Sequence, residues 1–373
     1  MALTLGIIGF SKSGKTTVFN ILTRGHAETS AYGSSSTTPN LGTVKVPDKR
    51  LEVLTEMFVP KKTTYATVEY TDVAGMNPGA TKQGGALPGL TYIQKVEALV
   101  HVVRAFDDPN ITHPEGSVNP IRDIQTMDLE LAFSDLAIIE KRLTRLDDSI
   151  KKTRPGPERE AFAFEKEVMT KLNEALTNEI PIRDLDLNED ELKAIRGYQF
   201  LTQKPLLTIL NLGEERANQA EKLLTEARAA SGKHKFMAVE ALRGKIEMEI
   251  SQLEPEEAQE FMKELGITES SLDKIIKVSY DLLGLMSFLT AGQDEVRAWT
   301  IKRGTPAVSA AGEIHSDIER GYIRGEIVSY DDLVKTGGIT EAKKVGLYRS
   351  EGKTYIMQDG DIVNFLFNVS GKK

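Results

Sequence analysis

The hydrophobic pattern changes character three times along the chain. Residues 3–8 form a short apolar run ending at Gly9, which predicts a buried strand, and residues 18–22 resume helical spacing beyond the intervening Gly and Lys. Residues 65–70, rich in β-branched and aromatic side chains, predict a second strand; residues 98–103 and 206–210 predict a third and a fourth. Near-continuous apolar strands alternating with helical segments point to an α/β domain whose parallel sheet is covered on both faces. Between residues 128 and 197 the pattern turns wholly helical. Leu129, Ala132, Leu136, Ile139, Leu143, Leu146 and Ile150 alternate spacings of three and four, a heptad seam. Arg154-Pro-Gly-Pro157 interrupts it, and a weaker seam follows at Phe162, Met169, Leu172 and Leu176, with Glu165 where an apolar residue is due. The two helices read as an antiparallel coiled-coil hairpin or as an ordinary packed pair, and in either case as an insertion. From about Ser287, segments 296–301, 322–328 and 361–368 alternate apolar and polar residues as half-buried strands do, with Gly-containing turns between them. The expected division is therefore 1–125 and 204–286 as two parts of one α/β domain, 126–203 as the helical insertion, and 287–373 as a small α+β domain.

Composition narrows the class. The 373 residues carry 47 Lys+Arg and 55 Asp+Glu, a formal charge of −8, with 40% hydrophobic and 27% charged residues. That balance fits a folded globular chain and argues against a protein that coats nucleic acid; no DNA partner is expected. No apolar run approaches the roughly 18 residues of a membrane span. Residues 1–8 lack the basic region and small-residue cleavage site of a signal peptide. There is no cysteine, which removes thiol nucleophiles and zinc–cysteine sites and suits a reducing cytoplasm, the expected location.

The chemistry concentrates at three places. Gly9-Phe-Ser-Lys-Ser-Gly14-Lys15-Thr16 matches the phosphate-loop pattern between a predicted strand and a predicted helix. Its glycines let successive backbone N–H groups wrap a phosphate at a helix N-terminus. The candidate phosphate set is Gly9, Ser11, Lys12, Ser13, Gly14, Lys15, Thr16 and Thr17, with Lys15 reaching the β- and γ-phosphates and the Thr16 hydroxyl binding Mg²⁺. Asp72-Val-Ala-Gly75 follows a strand: the carboxylate is placed to hold Mg²⁺ and the Gly75 N–H to meet a γ-phosphate. The next residue is Met76, whose thioether cannot order an attacking water as a glutamine does. Asn211-Leu-Gly-Glu214 follows the 206–210 strand, where a base-recognition motif of the form N-K-x-D belongs in guanine-specific proteins. Leu212 and Glu214 replace its Lys and Asp, and the longer carboxylate argues against strong guanine selection.

In this order the motifs resemble the YchF/Obg-like ATPase family of translation-factor-class P-loop NTPases, along essentially the whole chain. Thr38-Pro-Asn-Leu-Gly-Thr-Val-Lys-Val-Pro-Asp48, Ala66-Thr-Val-Glu-Tyr-Thr-Asp-Val-Ala-Gly75, Val100-His-Val-Val-Arg-Ala-Phe106 and Asn211-Leu-Gly-Glu214 carry the resemblance. Residues 295–301, 321–324, 329–332 and 355–367 look like that family's TGS domain. The resemblance implies a GTPase-like P-loop domain preferring ATP, a coiled-coil insertion, and a β-grasp-like TGS module associated with ribosomes or ribosomal RNA. It also implies a hydrophobic residue in place of the catalytic Gln, matched by Met76, and a loop histidine acting instead, here His113. Adenine preference in the family is attributed to backbone contacts near Leu212. The other histidines, His26, His101, His234 and His315, read as structural or solvated. The family's switch threonine aligns with Ser36, so the further Mg²⁺ ligand is Ser36, Thr37 or Thr38. The phosphate-loop interior, the 84–90 loop and Arg243-Gly-Lys245 depart from the family's usual forms. The function so implied is a slow Mg²⁺-dependent ATPase, catalysed through Lys15, Gly75 and His113. Its alternatives are a GTPase and a nucleotide-gated binding module with incidental hydrolysis. Lys151, Lys152, Arg154 and Arg159 cluster at the expected hairpin tip, as an RNA contact or a solvated loop.

Overall fold

The computed structural model describes residues 3–23, 39–73, 75–79, 81, 87, 89–231, 236–265, 267 and 270–368. Its strands are β1 Thr4–Ile8, β2 Asn40–Lys45, β3 Lys62–Thr64, β4 Thr67–Asp72, β5 Ala98–Ala105, β6 Leu206–Leu212, β7 Met237–Leu242, β8 Leu285–Ala291, β9 Glu295–Lys302, β10 Tyr322–Ser329, β11 Arg349–Glu351 and β12 Asp361–Phe367. They form two six-stranded sheets, ordered β2-β4-β1-β5-β6-β7 and β11-β10-β12-β8-β9-β3. The chain divides into two compact units, residues 1–42 with 69–275 and residues 43–68 with 276–373.

In the first unit β4, β1, β5, β6 and β7 run parallel. Every residue of β5 and β6 is buried, so their unbroken apolar runs are what two covered faces demand. One core cluster joins Ile8, Phe10, Met76, Leu99 and Leu206 to Met127 and Leu131. The helix bearing those last two residues is Pro120–Lys152, capped by the Asn119 side chain on Arg122 N–H. It starts before residue 126 and runs unbroken through that expected boundary, so no break separates insertion from domain. Its buried stripe changes partner along its length: Met127 and Leu131 pack against the sheet, whereas Ile139 and Leu146 pack against Met169, Leu172 and Leu176 of the second helix, Pro157–Thr177. The expected seam therefore does not begin at Leu129, which is exposed because the opposite face is engaged there. Glu165, the polar intruder, takes a two-pronged contact from Arg142, with N–O distances of 2.8 and 2.6 Å, and accepts from the Tyr198 hydroxyl.

In the second unit burial roughly alternates along β9, as in a half-buried strand, while β10 breaks the alternation at a register irregularity near Tyr322 and Arg324. Its core gathers Phe288, Tyr322, Ile327, Val363 and Phe365 under the helix Ala307–Ile314, and Phe288 stacks on Trp299 at 6.2 Å. Two boundaries differ from expectation: the second unit begins at residue 276 rather than 287, and residues 43–68 do not stay with the rest of 1–125. β3 pairs in parallel with β9, and Arg50 bridges Asp48 and Asp359. A three-residue polar edge strand has no apolar period to betray it.

Candidate active site: the phosphate loop and its surroundings

β1 leads through Gly9 into the loop, and the helix Lys15–Thr23 leaves it. Gly14 has φ +91°, and a Cβ there would collide with Asn211 Nδ2. Lys12 takes a left-handed conformation, φ 66°, with its side chain in solvent. The Ser13 carbonyl accepts from Asn211 Nδ2 at 3.1 Å, while the buried Ser13 hydroxyl has no partner among the described residues. Asn211 thus ties the end of β6 to the loop. A side chain on Gly244 would come within 2.6 Å of its Oδ1, so the β7 turn closes on the same amide.

Lys15 is buried, and its Nζ donates to Phe10 O at 2.9 Å. Burial lowers its pKa to about 8, against the opposing pull of Asp72. Thr16 Oγ1 donates to Asp72 Oδ2 at 2.9 Å. Burial pushes the Asp72 carboxyl upward against the Thr16 hydrogen bond and the Lys15 charge, and Oδ1 has no hydrogen-bond partner among the described residues. A hydroxyl beside a buried carboxylate with one open oxygen is a donor set of the kind Mg²⁺ selects. Ser36, Thr37 and Thr38 lie outside the described residues, as do His26 and His234. Thr17 stands half-buried on the first helix turn.

The segment after Asp72 returns to the loop. Ser11 N–H donates to Met76 O at 2.8 Å and Met76 N–H to Gly9 O at 3.1 Å. A Cβ on Gly75 would meet Lys15 Nζ and Ser11 at 3.0 Å, so a side chain there would have to push these neighbours aside. The Met76 side chain is wholly buried in the core with Ile8, Phe10, Leu99 and Leu131.

Both ring nitrogens of His113 are engaged within the protein. It is buried; its Nδ1 accepts Glu115 N–H at 3.0 Å and its Nε2 faces Asp123 Oδ2 at 2.9 Å. With Nδ1 accepting, the proton sits on Nε2 and no ring nitrogen is left for water. Arg122 holds the other oxygen of Asp123 at 2.8 Å. No hydrogen bond among the described residues joins His113 to the phosphate loop. His101, by contrast, is fully buried with neither nitrogen partnered among the described residues; burial and then the Lys15 charge push its pKa down to about 3, so it is neutral. His315 caps the helix Ser316–Arg320. On the base side, the Leu212 side chain packs in the core with Leu210 and Leu223, leaving only its backbone for a ligand, and exposed Glu214 pairs with Lys245 at 3.3 Å.

The sequence reading missed a residue beneath this site. Glu130, buried on the Pro120–Lys152 helix, accepts Gly79 N–H at 2.6 Å and Thr81 N–H at 3.0 Å, together with the Thr81 hydroxyl. The only trace in the sequence is a carboxylate lying between Met127 and Leu131 in a core-facing stripe.

Residues 4–141 match a family model described as "50S ribosome-binding GTPase", and residues 285–368 match the YchF-GTPase C-terminal model, described as a protein of unknown function. The ribosome-binding ATPase YchF of Bacillus subtilis (strain 168) is 46% identical over 373 residues, covering 99% of this chain and 100% of that protein. The chain belongs to the YchF family. The Obg-like ATPase 1 of Caenorhabditis elegans is 36% identical, covering 98% of this chain and 92% of that protein. The solved structure of the Schizosaccharomyces pombe YchF GTPase superposes with a TM-score of 0.81 at 33% identity, over 98% of this chain and 97% of that one. That likeness covers both units, the first with its P-loop GTPase-like fold and the second with its own C-terminal domain.

Proposed function

We propose that this YchF-family chain is a slow Mg²⁺-dependent nucleoside triphosphatase that prefers ATP and acts in association with the ribosome. The observation that carries the reading is Asp72 bound to Thr16 with one oxygen open, beside buried Lys15 in a glycine loop that begins a helix. Loop N–H groups and Lys15 bind the triphosphate and orient its terminal phosphate. Thr16 and Asp72 would hold Mg²⁺, which when bound neutralises charge on the phosphates. Gly75 brings backbone against the γ-position. Burial of Met76 leaves the attacking water without its usual partner, which keeps basal turnover slow. His113 serves as the water-orienting group only after it leaves Asp123 and Glu115. Leu212 at the lysine position and the pairing of Glu214 with Lys245 disfavour a bidentate grip on guanine. Ribosome association rests on the names of the bacterial relatives; we read the hairpin as a coiled-coil arm and the second unit as a TGS module toward that partner. No helix among the described residues is long and apolar enough to cross a membrane.

The test is calorimetric titration with ATP, GTP and their non-hydrolysable analogues in Mg²⁺, on parent and His113→Ala. Preference for ATP, with turnover lost and binding kept in the variant, is the expected result. Preference for GTP would move the assignment to a GTPase, the reading that the S. pombe relative's name favours. Unchanged turnover in His113→Ala would remove the histidine from the mechanism.

A further inference from the structure

We propose that Glu130 is a positioning residue: it holds the segment following Gly75 on the long Pro120–Lys152 helix, so that filling the phosphate loop is transmitted to the hairpin. This rests on the nucleotide reading above. A buried carboxylate in a helix interior is costly unless donors satisfy it. Here its two oxygens receive three donors among the described residues, all from Gly79 and Thr81. The same segment is anchored at its other end to the phosphate loop through the paired hydrogen bonds of Met76 with Ser11 and Gly9. The step from Met76 to Gly79 is three residues, which span at most about 10 Å when fully extended. Such a tether has little slack. Lys15 Nζ is occupied by Phe10 O, with Gly75 packed against it, so a γ-phosphate that reaches Lys15 displaces this backbone.

The helix is suited to carry the displacement. It is continuous for 33 residues, about 50 Å at 1.5 Å per residue. Along this helix Asp123 takes His113 at its first turn, Glu130 takes Gly79 and Thr81, and Asp135 takes the N–H groups of Leu201 and Thr202 at 2.9 and 2.8 Å. Three buried carboxylates therefore bind three separate backbone or loop segments to one rod. A hydrophobic residue at 130 would fill the space but could not follow a moving N–H; a carboxylate bonded at both oxygens does.

The chain has no cysteine, so labels go only where cysteines are introduced. Lys152→Cys at the exposed hairpin end and Glu221→Cys on the exposed face of helix Ala220–Ala230 supply a pair for spin-label distance measurement in the full chain. The expected result is a distance distribution that shifts when a non-hydrolysable ATP analogue with Mg²⁺ is added, and a shift abolished by Glu130→Gln. Turnover at saturating ATP should fall on the order of tenfold in that variant, with the nucleotide Kd held within about twofold. An amide keeps the volume but turns one acceptor into a donor facing a donor. If Glu130→Gln does not fold, Thr81→Val, which removes only the hydroxyl donor, is expected to reduce the shift. A ligand-induced shift identical in parent and variant overturns the proposal, as does tight analogue binding with no shift in the parent. A variant that merely melts earlier, with normal turnover below its Tm, shows a structural role only and overturns it too. Calorimetry showing no nucleotide binding by the parent would sink the nucleotide reading itself, and this proposal with it.

Discussion

Restoring glutamine at position 76 should not accelerate hydrolysis. A sequence-based argument expects the opposite, because the position follows the Asp72–Gly75 motif where a water-ordering glutamine acts in many GTPases. In this fold the Met76 side chain is fully buried among Ile8, Phe10, Val73, Leu99 and Leu131. Met76→Gln therefore loses roughly 1–2 kcal/mol of apolar transfer free energy. It also buries an amide with no partner, at about 1–3 kcal/mol. The sum, roughly 2–5 kcal/mol, is a large share of the 5–15 kcal/mol typical of a folded domain. At about 2–4 °C per kcal/mol for a unit of this size, Tm should fall by roughly 4–20 °C. The assay is scanning calorimetry alongside phosphate release at saturating Mg²⁺–ATP, well below the lowered Tm. A variant that turns over tenfold faster with an unchanged Tm would refute the reasoning, since it would put the side chain at 76 on the nucleotide side.

Gly14→Ala places a methyl group on Asn211 Nδ2 at φ +91°, a strain of about 1–3 kcal/mol, so nucleotide affinity should fall roughly ten- to a hundredfold with the far-ultraviolet circular dichroism spectrum retained. An affinity within twofold of the parent would show that the loop reshapes freely. Burial pushes Asp135 up to about 6 despite three donated hydrogen bonds, above its unfolded-state value, so its contribution to stability is complete below about pH 4 and is lost as pH rises through 6. The term is roughly 3 kcal/mol, and urea unfolding of parent and Asp135→Asn at pH 4 and pH 7 should diverge by an amount of that order; parallel pH profiles would contradict it. In the hairpin, an Arg142→Met and Glu165→Met double-mutant cycle should give a coupling of about 1 kcal/mol, reduced by 0.5 M salt, because the pair is only partly buried. Zero coupling would assign the two long side chains to packing alone.

How much was legible beforehand differs from element to element. The phosphate loop, its flanking strand and helix, and the fully buried β5 and β6 are written in local order: glycine spacing and unbroken apolar runs need no distant partner to be recognised. The two insertion helices were legible for the same reason, as was the half-buried alternation of β9. Tertiary structure alone decided the rest. It recruited β3 to β9, paired residues 233 positions apart such as Lys62 and Glu295, through a strand too short and polar to show a period. It turned Met76 into the core and enclosed His113 between Glu115 and Asp123, partners that neither motif names. It also made Glu130 a receiver of backbone N–H groups some fifty residues upstream. A motif specifies residue types and the local backbone that joins them. What a side chain faces, and so its charge, its free lone pairs and its work, depends on segments that only folding brings within hydrogen-bonding reach.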